Sequence, residues 1–343
     1  MDDYLKNMLA KYPIYAGYDP ITKEKDICWN CNEAPKQLLR CGRCRLAMYC
    51  NKKCQKLHFS AHKQYCIGTL QDLKRVQYYK QELLDEFQFP DVDEDFFEIA
   101  GGDFGEIPET RNYMSARLRY IQGIRYAANR MKTKSLWTAT LNNQMDMLRL
   151  DDYDKKGFRK EVTSVLLELN RDDDCYKVIK FWFNGIREFE HEEIFDIEMD
   201  RYGNPIEGEM FSPYSLSLSH KIALVIVKMR ILMAWNTHND IVQEVLPFDP
   251  LVNQKIVGMC VYDKIDKQRK LLYKYMHMLH EHDMQILPSF TELDSLSEFR
   301  GPDYYDDIDG VEAQDNLYNY CQLMQRIPGA IQNIKQFLRK VKE

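Results

Sequence analysis

From Asn112 onward, apolar residues recur every three or four positions. Met114, Leu118, Ile121, Ile124 and Ala128 make one stripe, and Trp137, Leu141, Met145 and Leu148 a second. Val162, Val165, Leu166 and Leu169 follow, then Cys175, Val178, Ile179 and Trp182. That period places the apolar side chains on one face of an α-helix. Ile222, Val225, Ile226, Met229 and Met233 mark the most hydrophobic helix, expected at the centre of the core. Pro328-Gly329 separates two last helical runs, Leu317–Met324 and Ile331–Leu338. Strict alternation is missing except near Phe195–Ile206, where Tyr202-Gly203-Asn204-Pro205 suits a hairpin turn. The pattern predicts a mostly α fold. Paired helices with short connections build a large all-helical, repeat-like domain over 112–343, without a strict repeat consensus.

Upstream the pattern changes. A helix is predicted over Leu70–Phe87, leading out of a cysteine-rich stretch. Asp85–Glu109 then carries ten acids and no base, is broken by Pro and Gly, and reads as a linker or surface loop. Its Gly101-Gly102-x-x-Gly105 neither follows a strand nor opens a helix, so no nucleotide cradle is expected there. These shifts divide the chain into an N-terminal segment (1–24), a small metal module (25–70), a helix with an acidic linker (71–111) and the helical domain (112–343).

Seven of the ten cysteines fall between Cys28 and Cys66, and their spacing carries the chemistry. The pairs are Cys28-x2-Cys31, Cys41-x2-Cys44, Cys50-x3-Cys54 and His62-x3-Cys66. Four pairs of soft or borderline donors complete two tetrahedral sites, one of four cysteines and one of three cysteines and a histidine, with no position left for water. The x2 pairs suit knuckle turns, and the x3 pairs suit one face of a helix. Closed sites of this kind hold together a segment with almost no core of its own. Two Zn²⁺ per chain are therefore predicted. Disulfides fit poorly, because seven cysteines cannot all pair and a histidine stands at the eighth position. His58 is read as a surface residue, since His62 keeps the regular spacing to Cys66. Spacing alone leaves open whether the pairs combine sequentially or interleave.

Charge and compartment narrow the partners. The chain has a formal net charge of −6, yet Cys28–Cys66 holds eight Lys/Arg and one acid. Seven thiolates and two zinc ions bring that segment down to about +4, and an acidic stretch lying close by would neutralise it further. Nucleic acid is disfavoured as a partner, and a protein or peptide is expected. The start MDDYLKNMLAKYPIY lacks the basic and apolar regions of a secretory signal, and no lipidation motif stands at either end. The apolar run Ile222–Trp235 is interrupted by Lys228 and Arg230 and is too short to cross a bilayer. An intracellular protein, cytoplasmic or nuclear, with no membrane association is the expectation, and there clustered cysteines bind metal. Cys175, Cys260 and Cys321 lie on or near apolar stripes and are expected to be buried, inert thiols.

From Cys28 to Cys66 the ligand spacing, the Tyr49-Cys50 step, Gln55 after the sixth ligand and the His62-x3-Cys66 end resemble the MYND-type zinc finger. The resemblance implies interleaved sites, with Cys28, Cys31, Cys50 and Cys54 on one zinc and Cys41, Cys44, His62 and Cys66 on the other. It also implies a peptide-binding face. In such fingers a short proline- and leucine-containing segment contacts a Gln after the sixth ligand and an aromatic four residues on, here Gln55 and Phe59. The family residue is usually Trp, and Phe59 lacks its indole N–H. The i, i+4 spacing puts both residues on one face, pointing away from Cys54 and His62 if the helix is regular. RNYMSARLRYIQGI, SLSHKIALVIVKMRIL and RIPGAIQNI resemble fungal-type MYND-finger proteins, in which the finger precedes a helical, tetratricopeptide-like domain. That family has no established activity, so this resemblance implies architecture and little else. The finger joined to helices is read as an adaptor in protein–protein interaction, with transcriptional regulation as a setting.

Two enzyme classes also carry this finger. SET–MYND methyltransferases need an Asn-His pair and a second cysteine cluster, and neither is present. MYND-bearing prolyl hydroxylases bind iron through His-x-Asp and a distant His on a β-barrel. His238-Asn239-Asp240 has the short motif, with His277, His280 and His282 downstream, but the stretch between them is helical by pattern. No catalytic residues are assigned. The alternative is an enzyme whose site lies unrecognised in the helical domain.

Overall fold

The structure, a computed structural model, describes residues 22–89, 95–185, 216–245, 262–292, 317 and 319–342. The hairpin expected at Phe195–Ile206 and the thiol of Cys260 lie outside the described residues. The strands β1 (Leu39–Arg40) and β2 (Met48–Tyr49) pair antiparallel, with Leu39 opposite Tyr49 and Arg40 opposite Met48. They form the one sheet among the described residues. Helices α1 (Lys52–Leu57), α2 (Phe59–Glu86) and α3 (Phe96–Ile99) precede a 3-10 turn, Pro108–Thr110. Next come α4 (Arg111–Met131), α5 (Lys134–Leu150), α6 (Phe158–Glu168) and α7 (Asp172–Gly185). The described remainder is α8 (Leu218–Val245), α9 (Tyr262–His282), α10 (Ile286–Thr291), α11 (319–326) and α12 (Ala330–Lys342). The chain is thus mostly α, a small cysteine-rich module followed by helices. Its described residues divide into two compact units after Val165, inside α6.

In the unit ending at Val165, α4 packs against both α2 and α5. Of the two predicted stripes, Met114, Ile121, Ile124 and Ala128 of α4 and Trp137, Leu141 and Leu148 of α5 are buried, while Leu118 and Met145 are half-buried. Lys132, left-handed at φ 54°, ends α4 and turns the chain into α5. The main chain of Lys23 clips this turn. Its N–H donates to the Lys132 carbonyl at 2.6 Å, and its own carbonyl accepts from the Lys134 N–H at 2.9 Å. Arg125 of α4 reaches α6, donating to Glu161 Oε2 at 2.8 Å and Ser164 Oγ at 2.7 Å.

The acidic stretch departs from the expected linker or surface loop. Phe96, Phe97 and Phe104 are buried, and Phe87 stacks on Phe96 at 4.3 Å between ring centroids. Four aromatics among the acids anchor it, so the pattern of charges misleads. The glycines serve backbone approach: the Phe104 N–H donates to the Leu150 carbonyl, and Asp152 N–H to that of Gly102, both at 2.9 Å. A Cβ on Gly105 would fall 2.2 Å from Asp151 Oδ1. The 151–171 stretch caps and pairs. Asp154 accepts from the N–H groups of Phe158 and Arg159 at 2.7 and 2.8 Å, and Arg171 pairs with Asp174.

In the unit beginning at Leu166, α8 packs against α7 and α9 and is buried on all sides from Leu218 to Ile231. Two of its buried cations have polar partners. Arg230 pairs with Asp172 at 2.7 Å, and Lys228 donates to Gln268 at 2.7 Å and lies over the Tyr176 ring. After Gly329, at φ 77°, α12 buries Ala330, Ile334 and Phe337. Cys175 and Cys321 are buried thiols. No helix among the described residues is long and apolar enough to cross a membrane.

Candidate metal centre

Each knuckle forms in the same way. After Cys28-x2-Cys31, Asn32 takes φ 61° and its N–H returns to the Cys28 carbonyl at 2.9 Å. After Cys41-x2-Cys44, Arg45 takes φ 58° and returns to the Cys41 carbonyl at 3.0 Å. A left-handed residue closes the turn, so both sulfurs face inward. Of the x3 pairs expected on helices, His62 and Cys66 share one, whereas Cys50 lies before Asn51, the N-cap of α1, and only Cys54 is helical. Asn51 caps α1, its Oδ1 accepting from the Cys54 N–H at 3.0 Å, and His62 and Cys66 share the buried face of α2.

Two donor clusters result: Cys28, Cys31, Cys50 and Cys54, and Cys41, Cys44, His62 and Cys66. Within each, all ligand atoms lie within 4.8 Å of one another. The pairs interleave. A tetrahedral zinc with bonds of about 2.3 Å to sulfur and 2.0–2.1 Å to nitrogen needs S···S near 3.8 Å and S···N near 3.6 Å. The separations are 3.4 Å for Cys31···Cys50, 3.9 Å for Cys54···Cys31 and 3.7 Å for Cys41···Cys66. Cys44 Sγ stands 3.6 Å from His62 Nε2. The two clusters fit two zinc ions. Among the described residues no other group of three or more such donors exists, and His277, His280 and His282 on α9 do not form one.

Protonation tells the same story. Burial pushes the Cys28 thiol up, but N–H donors of Cys31, Cys50 and Asn30 bring it down to about 6. Contact with Cys31, then desolvation, pushes Cys50 up to about 12. Clustered thiols resist ionising together until a dication compensates them. Burial and then the neighbouring His58 hold His62 down at about 4, neutral as a metal ligand must be.

His58 is not the surface residue expected. It is half-buried, stacks on His62 at 5.9 Å and bonds through Nδ1 to the Tyr49 hydroxyl at 3.1 Å. Burial and nearby thiols push the Tyr49 phenol up, so it stays protonated in this contact. This role rests on an aromatic nine residues upstream, which helical spacing does not reveal. Trp29 closes the small interior against His62 and Tyr65, at 5.8 and 5.7 Å.

Gln55 and Phe59 meet over the second cluster. They line an open depression of about 240 Å³ together with Arg43 and Lys63, above Cys41, His62 and Cys66. The expectation that they point away from His62 is overturned. His62 stands seven residues after Gln55 and three after Phe59, and helical hydrogen bonding runs through αR His58, so the spacing itself puts all three on one face. Phe59 is 54% exposed. Arg43 and Lys63 were not singled out by motif; Lys63 stands four residues after Phe59 on α2, the one spacing that could have flagged it.

The sequence profile of the MYND finger matches residues 28–66. The N-lysine methyltransferase SMYD2-B of Danio rerio is 36% identical over 59 residues, which cover 17% of this chain and 14% of that protein. The N-lysine methyltransferase SMYD2 of Homo sapiens is 35% identical over 60 residues, 18% of this chain and 14% of that protein. The chain therefore matches about a seventh of the length of these relatives. No solved structure matches it significantly. Residues 28–66 are a MYND zinc finger, a zinc-binding module for protein interaction.

Proposed function

We propose that this chain is a non-enzymatic adaptor whose finger holds an extended, proline- and leucine-containing segment of a partner protein. The observation that carries the reading is the meeting of Gln55 and half-exposed Phe59 in one depression. Its volume, about 240 Å³, is below the roughly 300–1,000 Å³ of small-molecule pockets. It suits one or two side chains of an extended peptide, with Phe59 stacking on proline and Gln55 hydrogen-bonding the backbone. Expected dissociation constants are about 10 μM to 1 mM. The methyltransferase activity in the relatives' names belongs to proteins matched only over a seventh of their length, and it is not carried to the helices here. A setting in transcriptional regulation rests on family resemblance alone.

An NMR titration of the zinc-loaded chain with proline- and leucine-containing peptides tests the reading. Phe59→Ala should abolish binding while zinc content stays at two. Equal binding by the variant would place the peptide elsewhere.

A further inference from the structure

The eight Lys and Arg side chains between Cys28 and Cys66 take part in no ion pair among the described residues. Four arginines of the helices are paired, Arg117 with Asp146, Arg125 with Glu161, Arg230 with Asp172 and Arg326 with Glu168. No described acid of Asp85–Glu109 pairs with a finger cation. Asp95 and Glu98 form the capping box of α3, and Glu106 pairs with Lys155. Two of the uncommitted cations, Arg43 and Lys63, stand on the same depression as Gln55 and Phe59.

We propose that the groove selects an acidic partner segment, in which Asp or Glu flank the proline–leucine core and meet Arg43 and Lys63. This rests on the peptide-binding reading and adds the charge of the ligand to it. The pairing is local, since salt screens charges over about 8–10 Å. Only carboxylates beside the core gain from it. A nucleic acid fits less well. The thiolates leave the finger with about +4, and the chain as a whole carries −6, which opposes a long polyanion. Phe59, 54% exposed on the same depression, gives the cations an apolar neighbour that suits peptide side chains.

The test is fluorescence anisotropy of the full, zinc-loaded chain with three labelled peptides that share one proline–leucine core. Their flanks carry Glu, Gln or Lys, and a labelled single-stranded oligonucleotide is the fourth probe. The Glu peptide should bind about five- to tenfold tighter than the Gln peptide at low salt, with the gap closing as salt rises. Arg43→Glu with Lys63→Glu should reverse the order in favour of the Lys peptide, with zinc content still two. Equal binding of Glu and Gln peptides would overturn the acidic preference and leave the peptide groove standing. Binding of none of the peptides would overturn both. An oligonucleotide that outcompetes the Glu peptide would overturn the proposal in favour of a nucleic-acid partner.

Discussion

Tyr65, the residue before the ligand Cys66, donates its hydroxyl hydrogen to the carbonyl of Gly123 on α4 at 3.0 Å. Its ring also stacks on Tyr126 of the same helix at 5.6 Å. The second metal cluster and the α4 core are thus one residue apart along α2.

Chelation should therefore reach into the helices, but only a short way. Loss of zinc removes the buried partners of His62 and Cys66, and the first turns of α2 should fray. The α4–α5 core has its own buried face in Ile121, Ile124, Trp137 and Leu141, and should hold. Circular dichroism should show a small loss of helix, and hydrogen exchange should locate it before Thr69. Collapse of the whole helical signal would mean that finger and helices fold as one. Tyr65→Phe should cost about 1 kcal/mol in urea unfolding.

The two zinc ions should differ in lability. In the first cluster Cys31 is exposed and Cys50 and Cys54 are half-buried, whereas all four ligands of the second are buried. Elemental analysis should find two zinc ions per chain, each bound by about 10–16 kcal/mol. A limiting amount of chelator should take the first equivalent from the all-cysteine site, visible as chemical-shift changes around Cys31 before any at His62. Simultaneous loss from both would contradict the exposure argument.

Lys228 gives a pH signature. Burial, then repulsion from Lys267, brings its ammonium down from 10.5 to about 7. Between those values the unfolded chain holds a proton that the folded chain releases, so stability rises with pH across that window. Below about 7 the full penalty applies. Lys228→Met should be more stable than wild type at pH 7 by about 1–3 kcal/mol, after the loss of the Gln268 bond. That advantage should shrink toward pH 10 in urea titrations. A constant difference would mean that the lysine stays charged in the fold.

Gly105→Ala sets a Cβ against Asp151, itself buried and bonded to the Lys155 N–H. Neither side can retreat freely, because the Phe104 N–H holds the loop to Leu150. The expected cost is about 1–3 kcal/mol of unfolding free energy. Gly42→Ala, where a Cβ meets nothing within 4 Å, is the control.

The ligand set was legible because tetrahedral coordination fixes both residue type and spacing, and the stripe of Ile121 and Ile124 because a helix buries one face. The start of α2 was not. Its buried positions there are His62, Cys66 and Thr69, a helical spacing written in metal ligands and a hydroxyl. No scale of hydrophobicity registers that face, so a helix read from apolar positions begins only at Leu70. The acidic stretch hid its anchors for the opposite reason, since Phe96, Phe97 and Phe104 lie among charges and follow no period. The direction of Gln55 and Phe59 was legible, because His62 follows them at i+7 and i+3 on one helical face.

The clip at Lys23 has a mechanical consequence. The backbone enters the finger from the α4–α5 turn and leaves it along α2, which Tyr65 rivets to α4. A module gripped at both its entrance and its exit cannot swivel as a bead on a tether would. Its groove keeps one bearing on the helical scaffold beneath it, so a captured segment is presented at a set angle. Little rotational freedom remains to be surrendered when that segment arrives.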